Sequence, residues 1–189
     1  MKFGEDALEL DAIDLQILII LQEHGRIPLV KLGEQVGLSA PSVNERVKKL
    51  EDSGVITGYH AMVDANRLGK DVTALIGVSI AHPKTIALFE AAVALLDDVL
   101  ECHHVTGQHT FMLKIKTENT ASLERLINAI RSIEGVARTE TMVVLSTHTD
   151  RRAIAVHPNG ESPEQNGRRH RHAAHAPAKP PPLEARRAP

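Results

Sequence analysis

Aromatic side chains are scarce in this chain. Among its 189 residues there is no tryptophan, one tyrosine and three phenylalanines. Proteins that bind single-stranded nucleic acid stack the bases on aromatic platforms, so this composition argues against that class of protein. The reading of double-stranded DNA needs no such platform. A duplex-binding protein therefore remains compatible with the composition.

Cysteine and long apolar runs are also scarce. The single cysteine, Cys102, excludes a framework of intramolecular disulfides and suits a reducing cytoplasm. No apolar run approaches the roughly 20 residues that a membrane-spanning helix needs. The first residues, Met1 to Asp14, are acidic and lack the apolar centre of a signal peptide. We therefore expect a cytoplasmic protein.

Motifs typical of enzymes are missing as well. The sequence has no glycine-rich phosphate loop, no nucleophile elbow and no helical histidine pair with a carboxylate. Potential zinc ligands cluster at Cys102, His103, His104 and His109. On one strand Cys102 and His104 point to one face and His103 to the other, although His109 could approach from the following turn. We expect no enzyme, cofactor or metal site, with a metal sensor or metal-assisted enzyme as the minor alternative.

The net charge of −2 conceals an uneven distribution. Residues 151–189 hold eight basic and three acidic residues, whereas residues 1–150 hold fourteen basic and twenty-one acidic ones. Because an acidic body repels DNA on average, affinity for DNA would need a local basic patch, repeated by dimer symmetry. Residues 150–189, rich in proline, arginine and histidine, cannot supply a core. They are predicted to form a disordered tail, either inert or a non-specific DNA arm.

The most informative segment is residues 28–59, whose pattern predicts two short helices joined by a tight turn. Gly37 stands where the first helix must stop, Ser39 can cap the second, and Gly54 closes it. Apolar residues recur at helical spacing in both: Leu29, Leu32 and Val36, then Val43, Val47 and Leu50. An earlier helix is predicted over residues 10–21, capped by Asp11. These helices suggest a helix-turn-helix, although an ordinary corner of two helices has the same pattern.

The second helix of this pair carries polar and cationic groups that suit base edges and phosphates in a major groove. The candidate DNA-binding residues are Ser39, Pro41, Ser42, Glu45, Arg46, Lys48 and Lys49. We expect Arg46 to project away from the buried stripe, toward DNA. After this helix, Val55, Ile56 and Tyr59 are predicted to pair as a short ribbon, the wing of a winged helix-turn-helix domain over residues 1–61.

The periodicity changes after a linker at residues 62–72. Strands are predicted at residues 73–81, 99–106, 111–116 and 137–147, and helices at residues 86–96 and 122–133. The order βαββαβ is that of a ferredoxin-like domain, here over residues 73–149, with one antiparallel sheet and two helices on one face. The fold class is therefore α+β. The other sheet face is left free for a partner subunit.

Short motifs from residue 8 to residue 149 carry a family resemblance. In order, they are Leu10-Asp11-x-x-Asp14, Gly25-Arg26, Val36-Gly37-Leu38-Ser39, RVKKLE at residues 46–51, Gly54-Val55-Ile56, Gly58-Tyr59, Val105-Thr106-Gly107, Gly135-Val136, Thr139-x-Thr141 and Val144-Leu145. Together they resemble the Lrp/AsnC family of bacterial and archaeal transcription regulators. The resemblance implies an N-terminal DNA-binding domain, a C-terminal (RAM/ACT-like) effector and oligomerisation domain, and homodimers or larger rings of dimers up to octamers, associated with the nucleoid.

The resemblance also implies a small-molecule site. Regulators of this kind bind amino acids or related effectors at a dimer interface, near the turn between the second and third strands. Carried over to this chain, the site would comprise Gly107, Gln108, His109 and Thr110, supported by the hydroxyls of Thr139 and Thr141. Thr110 stands where the family often has an aspartate. We expect a sequence-specific, amino-acid-responsive regulator; the alternative is an architectural DNA-binding protein without an effector.

Overall fold

Three helices form the core of the N-terminal unit. In the computed structural model, which describes residues 9–156, they are α1 (Ala12–Glu23), α2 (Leu29–Val36) and α3 (Ala40–Asp52). Their apolar stripes meet in one buried cluster, in which Ile17, Leu32, Val43 and Leu50 are almost fully inaccessible. Residues 9–60 and 152–156 belong to this unit, and residues 61–151 form a second one.

The predicted caps of these helices are confirmed, although α1 begins and ends two residues later than the predicted range of residues 10–21. The Asp11 side chain accepts hydrogen bonds from the Ile13 and Asp14 amides, and the Asp14 carboxylate accepts one from the Asp11 amide. This reciprocal capping box satisfies amides that would otherwise lack partners at the start of α1. Gly37 ends α2 with a φ of 73°, a left-handed conformation that glycine adopts without steric cost. Ser39 caps α3, as its position in the sequence predicts.

The predicted ribbon after α3 does not form. Gly54 turns the chain with a φ of 74°, but residues 55–61 contain no paired strand. Ile56 instead packs against the helical cluster, and its amide donates to the Leu50 carbonyl at 3.0 Å. The Tyr59 hydroxyl donates to the Glu51 carboxylate at 3.0 Å. Side-chain packing against α3 therefore holds this segment in place of cross-strand hydrogen bonds.

The second unit confirms the ferredoxin-like order. Its elements are β1 (Val72–Ile80), α4 (Ile86–Val93), β2 (Val99–His104), β3 (Phe111–Thr117), α5 (Thr120–Arg131) and β4 (Val136–Val143). The sheet order is β2-β3-β1-β4, and all pairs are antiparallel. The final strand ends four residues earlier than predicted because β1, its pairing partner, begins at Val72.

The two faces of this sheet differ. One face packs against α4 and α5 around Ile76, Phe89, Leu113 and Ile130. The opposite face, which we call the outer sheet face, follows from the strand register and includes Leu75, Gly77, Ser79, Met112, Lys114, Arg138, Glu140 and Met142. No helix of the described residues covers it within this unit, because both helices pack on the other side.

The predicted disordered tail starts too early. Residues 150–156 are described, and the Ile154 backbone exchanges two hydrogen bonds with the Gln22 side chain on α1, at 2.6 and 3.1 Å. An amide side chain can satisfy one backbone N–H and one C=O together, which fixes an extended segment without a sheet. The rest of the predicted tail, residues 157–189, lies outside the described residues. Between residues 9 and 156 no helix is long and apolar enough to cross a membrane.

Candidate nucleic-acid interface and effector turn

The candidate recognition helix, α3, is fixed at its start by Ser39. The Ser39 hydroxyl accepts a hydrogen bond from the Ser42 amide at 3.4 Å and lies 2.9 Å from the Ser42 hydroxyl. Pro41 occupies the first turn, where its missing N–H costs nothing. Val43, Val47 and Leu50 are buried against the other helices. The helix is thus held along one side and leaves its other side accessible.

The accessible side of α3 contains most of the predicted DNA-binding residues. The exposed ones are Pro41, Glu45, Lys48 and Lys49. Ser42 is half-buried, next to the buried apolar residues of α3. Asn44, which was not among the predicted DNA-binding residues, is exposed between them. Its position could have been found by counting, since it lies three residues after Pro41 and four before Lys48. Its amide is a group that can bind an adenine edge with two hydrogen bonds.

The orientation predicted for Arg46 is wrong. Its guanidinium Nη1 donates to Oδ2 of Asp11 and to Oδ1 of Asp14, both at 2.7 Å. Since Asp14 belongs to α1 and Arg46 to α3, this ion pair lies at the junction of the two helices, where the Asp14 side chain is only 6% exposed. Arg46 projects from α3 toward α1 because it lies three residues after Val43 and four before Leu50, both of which are buried.

The charges at this junction stabilise one another. The backbone amide of Asp14 and the guanidinium of Arg46 lower the pKa of Asp11 below its usual value. Asp11 and Asp14 in turn raise the pKa of Arg46. The positive charge of Arg46 is therefore balanced locally by two carboxylates. Lys48 and Lys49 are the remaining cations of α3.

The candidate effector turn connects β2 and β3. Gly107 has a φ of 116°, and Gly107 and Gln108 are exposed at the tip. The His109 side chain folds back over β1 on the outer sheet face and is only 13% exposed. Its Nε2 lies 3.3 Å from a Glu140 carboxylate oxygen, and its Nδ1 lies 3.5 Å from the Ser79 hydroxyl. Gly77 lies directly beneath the ring, where a Cβ would come within 2.5 Å of Cδ2.

Thr110 has a structural partner. Its hydroxyl oxygen accepts a hydrogen bond from the Ile80 amide at 3.1 Å, and its own amide donates to the Val78 carbonyl at 2.8 Å. The β1–β4 register shifts between Ser79 and Ile80, which leaves the Ile80 amide without a regular partner in the ladder. Thr110 therefore fixes the end of the turn to this irregularity.

The structure does not bring the two remaining predicted effector residues to the turn. Thr139 pairs with Val78 and Thr141 with Ile76, both of which face the helices, whereas His109 lies on the outer sheet face. Thr139 accepts a hydrogen bond from Nε of Arg131 at 2.8 Å on the helical side. Thr139 and Thr141 therefore lie on the opposite sheet face from His109, because a strand presents alternate residues to opposite faces, and their role at an effector site stays a prediction. Glu140, between them, is the residue that meets His109.

The potential zinc ligands diverge, as strand alternation predicts for three of them. His104 stacks on Phe111 with ring centroids 4.9 Å apart, and His103 lies 3.1 Å from Glu101 on the other face. Cys102 lies on the same face as His104 and is exposed. Partial desolvation of its sulfur and the nearby Glu90 carboxylate raise the pKa of its thiol. His109 turns toward Glu140 rather than toward these residues. No group able to hold a metal ion occurs within residues 9–156.

Comparison with known proteins identifies both units. Residues 10–57 match the winged helix-turn-helix DNA-binding family, and residues 73–154 match the Lrp/AsnC ligand binding domain. A helix-turn-helix transcriptional regulator named YezC from Bacillus subtilis is 43% identical over 138 residues, which cover 73% of this chain and 95% of that protein. The leucine-responsive regulatory protein of Rhizobium meliloti is 41% identical over 141 residues, 73% of this chain and 90% of the relative.

A solved structure shares the fold of both units. The transcriptional regulator NMB0573 of Neisseria meningitidis, in complex with L-methionine, superposes with a TM-score of 0.75 and 29% identity, covering 78% of this chain and 97% of that one. The matches extend over the helical unit, the sheet unit and the segment that follows β4. The chain is therefore a DNA-binding transcriptional regulator that belongs to the Lrp/AsnC family.

Proposed function

We propose that this regulator binds a pseudo-palindromic duplex site as a dimer, with the two copies of α3 in successive major grooves. The observation that carries the proposal is the stripe of Pro41, Asn44, Glu45 and Lys48, exposed opposite the buried side of α3. Its short amide and carboxylate groups suit base edges, and its lysine suits a phosphate or a guanine. Two-fold symmetry would place the half-sites about 10 bp apart or a multiple of that distance.

The charges of α3 indicate which of its residues would bind phosphates. Because Arg46 is paired with two carboxylates, Lys48 and Lys49 are the cations that α3 offers to DNA. Ser42 and Ser39 are held together by the cap, which leaves their outer surface and Pro41 at the helix start. A helix start of this kind favours a nearby phosphate. With so few cations in each protomer, dimer symmetry would double the attraction to phosphates.

The dimer is proposed to form through the outer sheet face. Leu75, Met112 and Met142 form an apolar centre there. Leu75 pairs directly with Met142 of β4, and Met112 is its diagonal neighbour on β3. Met142 is 42% exposed, so the unit itself leaves much of this centre uncovered. Sheets of this kind pack face to face through such residues. Light scattering should give the mass of a dimer or of a ring of dimers, and Met142→Lys should lower it.

The effector is proposed to be an amino acid bound near residues 107–110. Gly107 and Gln108 are exposed, and their backbone groups other than the Gln108 carbonyl, which accepts from Ser79, can hydrogen-bond its polar ends. His109 lies beside Glu140 at the edge of the same surface. Methionine is the first candidate, because the similar Neisseria regulator is described as an L-methionine complex. Calorimetric titration of the twenty amino acids should show binding that His109→Gln weakens. The exposed His148, changed to Gln, is the matched control, and absence of heat from every amino acid would contradict an effector role.

The DNA proposal is tested with a duplex selected by the wild-type protein from a random-sequence pool. Lys48→Gln should weaken binding and lower the slope of log affinity against log salt by about 2, because the dimer loses one phosphate contact in each protomer. Lys84→Gln removes the same charge from an exposed position in the second unit and should change neither quantity. The selected duplex should bind far more tightly than a scrambled one at the same salt concentration. Equal affinity for both would indicate an architectural protein instead.

A further inference from the structure

One guanidinium joins the two acidic residues at the start of α1 to the middle of α3. Nη1 of Arg46 lies 2.7 Å from a carboxylate oxygen of Asp11 and 2.7 Å from one of Asp14. The Arg46 side chain is 31% exposed, and that of Asp14 is 6% exposed. The contact is thus shielded from water on the Asp14 side, where an ion pair is screened least.

Both carboxylates are held in place by the cap of α1. Oδ1 of Asp11 accepts the Ile13 and Asp14 amides at 2.9 and 2.8 Å, which leaves Oδ2 for Arg46. Oδ2 of Asp14 accepts the Asp11 amide at 3.2 Å, which leaves Oδ1 for Arg46. Each carboxylate therefore has one oxygen fixed to the backbone of α1 and one aimed at α3. A rotation of either carboxylate away from Arg46 would therefore also break a hydrogen bond of the cap.

The rest of the α1–α3 contact does not fix an angle so closely. It consists of apolar side chains such as Ile17, Val43 and Val47, and burial of apolar area has little directional preference. Charge-assisted hydrogen bonds, in contrast, prefer a short distance and a defined direction. A rotation or slide of α3 would stretch both bonds of Arg46. It would also move Asn44 and Lys48, which lie on the same rigid helix.

We propose that Arg46 is a positioning residue for DNA recognition: through Asp11 and Asp14 it sets the orientation in which α3 presents its exposed stripe. The proposal rests on the assignment of α3 as the recognition helix. According to this proposal, Asp11 and Asp14 are necessary for specific binding although neither contacts DNA. A phosphate contact by Arg46 requires the opposite, since the same carboxylates would then compete with DNA for its guanidinium.

The sign of one effect separates these roles. Asp11→Asn retains the cap, because asparagine caps helices about as well as aspartate, and it removes the charge that faces Arg46. Asp14→Asn removes the buried charge at nearly constant shape. If Arg46 positions α3, both variants lower affinity for the selected duplex although they also remove negative charge from the protein. If Arg46 contacts DNA, both raise it.

The experiment measures affinity for the selected duplex and for a scrambled one over a range of salt concentrations, with the full chain and well below its melting temperature. Asp14→Asn and Arg46→Gln should each lower specific affinity about tenfold, and the double variant should be no worse than either single one. Non-specific affinity and the salt slope should stay near their wild-type values. Both bonds come from the one nitrogen Nη1, so Arg46→Lys, which keeps the charge and a nitrogen that can donate to both carboxylates, should recover part of the specific affinity.

Two results are distinguishable failures. Tighter specific binding by Asp11→Asn and Asp14→Asn, together with a salt slope lowered by about 2 in the Arg46→Gln dimer, would overturn the positioning role and return Arg46 to the DNA contacts. If Lys48→Gln leaves both affinities unchanged in the same assay, the exposed stripe is not the DNA-binding face, and it is the proposed function that fails.

Discussion

Gly77 offers a sharp test of how the effector turn is built. A Cβ at this position would lie 2.5 Å from Cδ2 of His109 and 2.7 Å from its Cγ and Nε2. Ordinary contact begins near 3.4 Å, so Gly77→Ala requires the imidazole to move by about 1 Å or to leave the sheet. Alanine fits the strand backbone itself, because Gly77 does not have a positive φ. The cost therefore comes from the ring above it.

The free energies have opposite signs. Overpacking of this kind costs about 1 to 3 kcal/mol, whereas replacing glycine by alanine within a strand gains about 0.5 to 1 kcal/mol. We expect Gly77→Ala to lower the free energy of unfolding by about 1 kcal/mol. In a His109→Ala background the obstacle is gone, and the same substitution should raise it by about 0.5 kcal/mol. The two substitutions should thus be coupled by more than about 1 kcal/mol.

Urea denaturation of the four proteins measures this coupling, with the denaturant slope as a check that the transition stays two-state. Each protein is measured at several concentrations, because a change in dimer affinity would shift the midpoint with concentration. Additive effects, with Gly77→Ala equally harmful in both backgrounds, would show that His109 does not lie over Gly77. The position of the turn on the outer sheet face would then be refuted.

Two further predictions concern the helical unit. A chain ending at residue 149 loses both hydrogen bonds between Gln22 and Ile154, so it should be less stable than a chain ending at residue 156 by about 1 kcal/mol; equal melting temperatures would show that this contact contributes nothing. Burial and the hydrogen bond to Glu51 raise the pKa of Tyr59 to about 12. Since this is the chain's only tyrosine and there is no tryptophan, ultraviolet titration reports it directly. Its stabilising contribution is complete below about pH 10 and is lost as the pH rises through about 12. A midpoint near 10 in the folded protein would refute the contact, and Glu51→Gln should move the midpoint in that direction.

Local signals in the sequence predicted the order of the elements and the caps. Asp11, Gly37 and Ser39 act on residues within four positions of themselves, so their roles can be inferred without knowledge of the tertiary fold. The prediction of a ribbon after α3 was wrong because the structure of that segment depends on tertiary packing rather than on neighbouring residues. Val55, Ile56 and Tyr59 are typical strand residues, but an isolated two-stranded ribbon is only marginally stable. Ile56 instead buries apolar surface against the helical cluster.

The orientation of Arg46 could have been predicted from the sequence, whereas the sheet face of Thr139 and Thr141 could not. Counting from Val43 and Leu50 places Arg46 beside the buried stripe, but its charge suggested an outward orientation. The faces of Thr139 and Thr141, in contrast, depend on the register of β4 against β1, which pairs Thr139 with Val78 and Thr141 with Ile76. A change of one residue in register exchanges the two faces of a strand. That register depends on pairing between distant segments, which local periodicity does not specify.

The effector turn shows how far the chemistry of one position depends on such pairing. From the sequence, Thr110 was the departure from the family that bore on ligand choice, because a hydroxyl replaces a carboxylate. In the fold its oxygen accepts the Ile80 amide at the irregularity of β1, so the side chain already has a partner. A group that holds the backbone in this way is poorly placed to select a ligand by charge as well. If an effector binds at this turn, as proposed, its selection would depend on Gln108 and His109, with Glu140 of β4 holding the imidazole.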